Sequence, residues 1–300
     1  MLSIELPLAG ITVWIPGIIA LGFAVGFLTG MFGVGGGFIL TPFLKIVFGI
    51  PYPIAVGSDL VQIFINSSLS AWRHWRNKSV DFRLGIIIAI GAIFGTETGV
   101  RIQSNLTLAG TVTIGNRTMS SLDFILNCLF LILMLAVAVT IWRETSKNGS
   151  EEAQTGVSAA LQRFKLLPIV QLQRSGIESM SLWVPLGLSF FVGILTGLMG
   201  VGGGFVNFPL LVYIIGVPTL VAVGTSAFQI VFASAYGALR HGREGHVELL
   251  LVGLLILGSA IGVQLGVRVS HIIGGKKIRR LFSFVLLAGM LLIIWDFIRT

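Results

Sequence analysis

Long apolar runs closed by basic or polar clusters recur along the chain: Ile11 to Met31, Pro53 to Trp72, Leu84 to Gly99, Leu122 to Trp142, Leu182 to Met199, Leu220 to Leu239, Leu249 to Val269 and Leu281 to Ile298. They approach or exceed the roughly 20 residues that a helix needs to cross about 30 Å of hydrocarbon. A porin-like barrel is disfavoured, because its strands would alternate apolar and polar at every second residue. Two further runs, Phe38 to Phe48 and Phe205 to Ile215, are shorter. About eleven helical residues rise only about 17 Å, half of that thickness. The pattern predicts an all-α, polytopic integral membrane protein with short broken or re-entrant helices.

The runs fall into two copies of one unit. Gly26-Phe-Leu-Thr-Gly-Met-Phe-Gly-Val-Gly-Gly-Gly-Phe38 returns as Gly193-Ile-Leu-Thr-Gly-Leu-Met-Gly-Val-Gly-Gly-Gly-Phe205, and the offset of 167 residues persists. Pro42 maps on Pro209, Pro51 on Pro218, Gln62 on Gln229, Arg73-His74 on Arg240-His241, and Arg101 on Arg268. Shared hydrophobicity does not align Pro, Gln, Arg and His as well, so the unit is duplicated. Residues 1–142 form the N-terminal transmembrane repeat, 143–181 a cytoplasmic linker, and 182–300 the C-terminal repeat. The linker's second half, around Leu161-Gln-Arg-Phe-Lys-Leu166, reads as a basic amphipathic helix on the membrane surface.

The short run leaves three arrangements open: a tilted crossing giving five spans per unit, the return limb of a hairpin giving three, or half of one broken crossing giving four. Odd numbers oblige the second copy to enter from the opposite side, as in inverted-repeat transporters. Odd units also gather most basic residues, including Arg73, Arg76, Lys78, Arg83, Arg268, Lys276, Lys277, Arg279 and Arg280, on the linker's side. The positive-inside rule therefore favours an inverted repeat of two five-segment units.

Composition sharpens the picture little: 55% of residues are hydrophobic and 11% charged, which demands lipid. The net charge of +8 sits at the ends of apolar runs, where it sets topology, and nucleic acid is excluded as a partner. Cys128 is the only cysteine, so neither an intrachain disulfide nor a cysteine metal cluster is possible. The first segment carries Glu5 in place of a basic n-region and flows into the repeated motif, which reads as mature protein and not a signal peptide.

Three consecutive glycines in a membrane segment are costly for a helix, about 1 kcal/mol each. Gly33, Gly35, Gly36 and Gly37 allow positive φ and let backbone N–H groups converge, while a helix starting at Phe38 adds its positive dipole end. With Gly200, Gly202, Gly203 and Gly204 approaching from the other leaflet, two such nests form a candidate anion site near the midplane. Close helix packing explains Gly26, Gly30, Gly95 and Gly99 instead. A dinucleotide site fails for want of a preceding β-strand.

The third run of each unit carries polar residues on one helical face, Ser58, Gln62 and Asn66 in the first, Thr225 and Gln229 in the second. Such a face looks inward, either at a ligand or as interhelical glue. Two acids lie inside apolar runs, Asp59 and Glu97, where the second unit has Ser226 and Gln264. Both are candidate coupling groups, since one proton or cation site needs only one acid. Glu97 also suits a structural pair with Arg101 one turn on. Arg73 and Arg240 read as snorkelling anchors or as anion-steering groups. His74, His241, His246 and His271 show no i, i+4 pairing with an acid, and no nucleophile triad appears, so no metal, cofactor or enzymatic activity is expected.

Gly-Val-Gly-Gly-Gly-Phe with a following Pro, the later Ala-Val-Gly-(Ser/Thr), and their repetition in two halves resemble the sulfite exporter TauE/SafE family, also called the toluene-sulfonate uptake permeases. The resemblance implies a bacterial inner-membrane permease for sulfur-containing anions such as sulfite or sulfonates, with some relatives assigned to other small organic anions. The partners expected are a small anion, the lipid bilayer and, as one option, a second copy of the chain in a homodimer. An anion channel on the same scaffold is the alternative, and an intramembrane enzyme is the weakest reading.

Overall fold

The computed structural model describes residues 3–108, 110–114, 117–146, 156–163 and 165–299. The polar linker stretch Lys147 to Glu152 lies outside the described residues. The first unit opens with a hairpin of β1 (Ser3–Leu6) and β2 (Ile11–Trp14), followed by α1 (Ile15–Phe32), α2 (Gly37–Ile46), α3 (Tyr52–Arg76) and α4 (Phe82–Leu108). A second hairpin, β3 (Thr111–Ile114) and β4 (Arg117–Ser120), leads into α5 (Ser121–Ser146). A short helix α6 (Gly156–Arg163) separates the units. The second unit runs through β5 (Ile169–Leu172), β6 (Ile177–Ser181), α7 (Trp183–Met199), α8 (Gly204–Ile215), α9 (Thr219–Arg243), α10 (Leu249–Ile273) and α11 (Gly275–Arg299).

Among the described residues, seven helices are long and apolar enough to cross a membrane: α1, α3, α4, α5, α9, α10 and α11. Large apolar side chains such as Phe94, Phe191 and Leu291 point outward at about two-thirds exposure. The six tryptophans, Trp14, Trp72, Trp75, Trp142, Trp183 and Trp295, are all exposed and lie at or near helix ends, where their amphipathic rings suit the headgroup layer. The chain is a multi-pass helical membrane protein.

Part of the stretch read as a linker belongs to a repeated element. The hairpin β5–β6 stands before α7 as β1–β2 stands before α1, and both are pinned alike. Glu248 Oε2 accepts from the Leu8 N–H at 2.8 Å, while Asp81 Oδ2 accepts from the Ser175 N–H at 3.1 Å and its hydroxyl at 2.8 Å. These acids stand at the starts of α10 and α4, one offset apart. Of the amphipathic helix expected around Leu161 to Leu166, α6 covers Leu161 to Arg163, and Lys165 and Leu166 are not helical. Beyond it Pro168 and the β-branched Ile169-Val170 favour the strand.

Glycines set the packing of the helix pairs. On α1, Gly22, Gly26 and Gly30 lie against the backbone of Leu255, Ser259 and Val263 on α10, which answers with Gly258, Gly262 and Gly266 against Ile19, Phe23 and Phe27. On α4, Gly91, Gly95 and Gly99 meet Leu186, Phe190 and Ile194 of α7 in the same way. A Cβ on Gly26 would sit 2.5 Å from the Ser259 carbonyl oxygen, so the backbones touch. Residue numbers rise together in each pair, so α1 is parallel to α10 and α4 to α7. Five of the six α1–α10 contacts recur between α4 and α7 when both partners are shifted by the repeat offset, the mark of a two-fold relation between the units.

The axis lies between α3 and α9. His74 near the end of α3 meets Gly224 near the start of α9, and Leu60 near the start of α3 meets Gly237 near the end of α9. These corresponding helices are therefore antiparallel. The short run also finds its place. Gly33 lies against Val223, level with His74; Gly35 lies between Ile63 and Ile230; Gly37 reaches Asp59; and the Lys45 ammonium sits over the Tyr52 ring at 5.5 Å. The glycine segment and α2 together thus run back along α3, from the level of His74 to that of Tyr52. The second unit repeats this with α8, whose last part, Leu210–Ile215, is a π-helix following Pro209, where a ring nitrogen cannot donate.

Candidate functional site

The two glycine segments meet at the two-fold axis. A Cβ on Gly37 would lie 2.8 Å from Val201 Cα, and one on Gly204 2.4 Å from the Val34 backbone. The rings of Phe38 and Phe205 stack just beyond, with centroids 5.6 Å apart, and the edge of Phe282 closes on Phe38. The left-handed backbone sits where the triple glycines anticipated it: φ is 66°, 79° and 81° at Gly33, Gly35 and Gly36, and 71°, 65° and 68° at Gly200, Gly202 and Gly203. Gly37 and Gly204 have ordinary φ and open α2 and α8.

The N–H of Gly33 is used in capping α1, bonding to Thr29 O at 2.9 Å, and that of Gly200 to Thr196 O likewise. Among the described residues the N–H groups of Gly35, Gly36 and Gly37, and of Gly202, Gly203 and Gly204, have no acceptor. Two half-helices of opposite direction therefore aim free donors and their positive dipole ends at one buried region.

Asp59 borders this region. It is fully buried, accepts from Thr41 Oγ1 at 2.6 Å through Oδ2, and keeps Oδ1 without a partner. In the second unit Asn207 Nδ2 donates to Gln229 Oε1 at 3.0 Å and to Ser226 Oγ at 3.3 Å. Gln62, equivalent to Gln229, is also fully buried, with neither amide atom partnered. Thr41 and Asn207 escaped the reading of the sequence; Asn207 was visible as the lone amide in an apolar run.

Residues 18–293 match the family described as Sulfite exporter TauE/SafE. The chain belongs to that family. TauE/SafE proteins are membrane transporters, not enzymes, and similar relatives are described accordingly. "Probable membrane transporter protein YunE" of Bacillus subtilis (strain 168) is 24% identical over 90% of this chain and 93% of that protein. "Probable membrane transporter protein YjnA" of the same strain is 27% identical over 92% and 98%. "Probable membrane transporter protein MJ0441" of Methanocaldococcus jannaschii is 26% identical over 91% and 92%. No solved structure matches the chain.

Other residues singled out in this TauE/SafE sequence lie away from the glycine crossing. Ser58 Oγ accepts from the Glu248 N–H and Thr225 Oγ1 from the Asp81 N–H, each at 2.9 Å. They cap α10 and α4 across the unit boundary and stand outside the polar cluster around Asp59 and Gln62. Glu97 lies in an ion-pair network: Arg101 at 2.6 Å, Arg240 at 3.0 Å and the Tyr236 hydroxyl at 2.8 Å. At the opposite end, in the equivalent place, Arg73 donates to the neutral Gln264 at 2.7 Å. A cavity of about 610 Å³ opens there, lined by Arg73, Arg76, Asn77, Arg268 and His271. Among the described residues Arg73, Arg76 and Arg268 form no ion pair at one end of the bundle, whereas Glu97 holds Arg240 at the other. The turn after α9 gathers His241, Glu244 and His246, one ligand atom of each within 4.8 Å of the others, a grouping that an i, i+4 search passes over.

Proposed function

We propose that this TauE/SafE protein is a secondary transporter that moves a small sulfur-containing anion, such as sulfite or an organosulfonate, across the bacterial inner membrane by alternating access. The observation that carries this reading is the meeting of two glycine segments whose free N–H groups belong to half-helices of opposite direction. A tetrahedral or pyramidal oxyanion offers acceptors to both sets at once, and a backbone without Cβ atoms lets it approach closely. The antiparallel course of α3 and α9 supports a two-fold axis in the membrane plane, hence an inverted repeat whose halves exchange roles as the site opens to one side and then the other. The end with Arg73, Arg76 and Arg268 faces the cytoplasm by the positive-inside rule and draws anions to its vestibule.

Asp59 stands in only one unit and beside the crossing, which supports coupling to a cation more than a channel, whose pore needs no acid. Purified protein in liposomes loaded with labelled sulfite tests the reading. Accumulation against the sulfite gradient, driven by an imposed pH gradient and competed by small sulfonates, is the expected result. Flux that only equilibrates sulfite would show a channel, and no sulfite flux would exclude this substrate class.

A further inference from the structure

One face of α3 carries Asp59, Gln62, Asn66, Ser70 and His74 at successive turns, with Ser67 beside them. At 1.5 Å per residue this row is about 22 Å long, most of a bilayer core. All six residues are at most 1% exposed. Each holds a polar atom without a partner among the described residues: Asp59 Oδ1, both amide atoms of Gln62, Asn66 Nδ2, the hydroxyls of Ser67 and Ser70, and His74 Nδ1. His271 extends the row, its ring 5.3 Å from that of His74 and its Nε2 likewise unpartnered, and it lines the cavity of Arg73, Arg76 and Arg268.

A buried polar atom left unpaired costs about 1–3 kcal/mol, so a row of them is stable only where water completes their hydrogen bonds. The second unit is an internal control. In the register of this row, α9 has Ser226, Gln229, Ala233, Gly237 and His241; Ser234 bonds back to the Ile230 carbonyl at 2.6 Å, and Gln229 is held by Asn207. The polar row is therefore interrupted on α9 and continuous on α3.

We propose that α3 carries a hydrated path along which protons pass between the His74–His271 end and Asp59, which makes the proton the coupling ion. This rests on the transport reading above. A proton leaving the Asp59 carboxyl, which becomes carboxylate, is taken by water fixed between the amides of Gln62 and Asn66. The amides orient that water and carry no proton themselves. Each hydroxyl of Ser67 and Ser70 accepts one proton and passes its own onward. His74 receives it at Nδ1, because Nε2 faces the Gly30 carbonyl at 3.2 Å and serves as the N–H donor in the neutral ring. The proton then moves through water to His271 and the basic cavity. Among the described residues no ion pair falls on the route. Asp59 meets Thr41 and Gly37 of α2; His74 meets His271 of α10, Gly30 of α1 and Gly224 of α9, while Arg73 turns to Gln264.

The test is hydrogen–deuterium exchange at Asp59, read by infrared spectroscopy of the reconstituted protein as the carboxyl band that Asp59→Asn removes. Ser70→Val and Ser70→Thr are isosteric and differ in the hydroxyl. Exchange is expected to slow roughly tenfold or more in Ser70→Val and to stay near wild type in Ser70→Thr and in Ser234→Ala on α9. Should the Ser70 pair fold poorly, Ser67→Val and Ser67→Thr make the same comparison. In liposomes, Ser70→Val should keep sulfite counterflow yet lose accumulation driven by the pH gradient. Equal exchange in the Val and Thr variants overturns the path, and so does the lack of any Asp59 carboxyl band between about pH 5 and 8. A wild type that moves no sulfite would refute the substrate reading alone, since the exchange comparison still decides the path.

Discussion

Gly37→Ala places one methyl group at the contact between the two units. The new Cβ would lie 2.8 Å from Val201 Cα, 2.8 Å from Asp59 Oδ2 and 2.7 Å from Ile63 Cδ1. Carbon atoms rest at about 3.5–4.0 Å, so the crossing must open by roughly 0.7–1.2 Å. Overpacking of this kind costs about 1–3 kcal/mol. Gly37 has ordinary φ and opens α2, so left-handed strain adds nothing, and the alanine's own helix preference opposes the loss. Gly187→Ala and Gly253→Ala are the controls: both are helical, with nothing within 4 Å of the added Cβ, and they should gain up to about 1 kcal/mol. Thermal unfolding in detergent, followed by tryptophan fluorescence, and sulfite flux in liposomes read the two effects. Gly37→Ala is expected to lower the midpoint and abolish flux, while the controls keep both. A Gly37→Ala protein as stable and active as Gly187→Ala would refute the contact and the site built on it.

Asp59→Asn keeps an acceptor for Thr41 and should fold normally, losing the pH-gradient dependence of sulfite flux while retaining sulfite-induced thermal stabilisation. Glu97→Gln removes a half-exposed network, so a loss below about 1 kcal/mol and an unchanged gradient dependence are expected from thermal melts and flux; loss of coupling would assign Glu97 the role argued for Asp59. Arg73→Ala should raise the apparent KM for sulfite severalfold with a reduced salt dependence, whereas Arg240→Ala should act mainly on stability; equal kinetic effects would refute the electrostatic difference between the ends.

Much of this architecture is written in the order of residues. Helix count, the duplication and the left-handed glycines follow from local rules, since length, offset and the lack of Cβ atoms are properties of the chain itself. Helix ends are less legible: α3 continues through Arg73-His74-Trp75-Arg76 because hydropathy marks the part in lipid and not the hydrogen-bonded helix. The roles of Ser58 and Thr225 were hidden, since each hydroxyl caps a helix 190 and 144 residues distant in the chain. Sharing a face with Gln62 said nothing about that. The hairpins escaped because strands of four or five residues carry too little alternation to stand out from polar linker sequence.

The most direct test of the central claim concerns the sidedness of the two hairpins that begin the units. Leu8 and Gln173 are exposed at equivalent hairpins, and single cysteines at these positions, in a Cys128→Ala background, can be labelled with a membrane-impermeant maleimide in intact cells and in inverted vesicles. Two inverted units predict that Leu8→Cys reacts from outside in intact cells and Gln173→Cys only in inverted vesicles. Labelling of both from the same side would contradict the inversion, and with it alternating access through a shared glycine crossing.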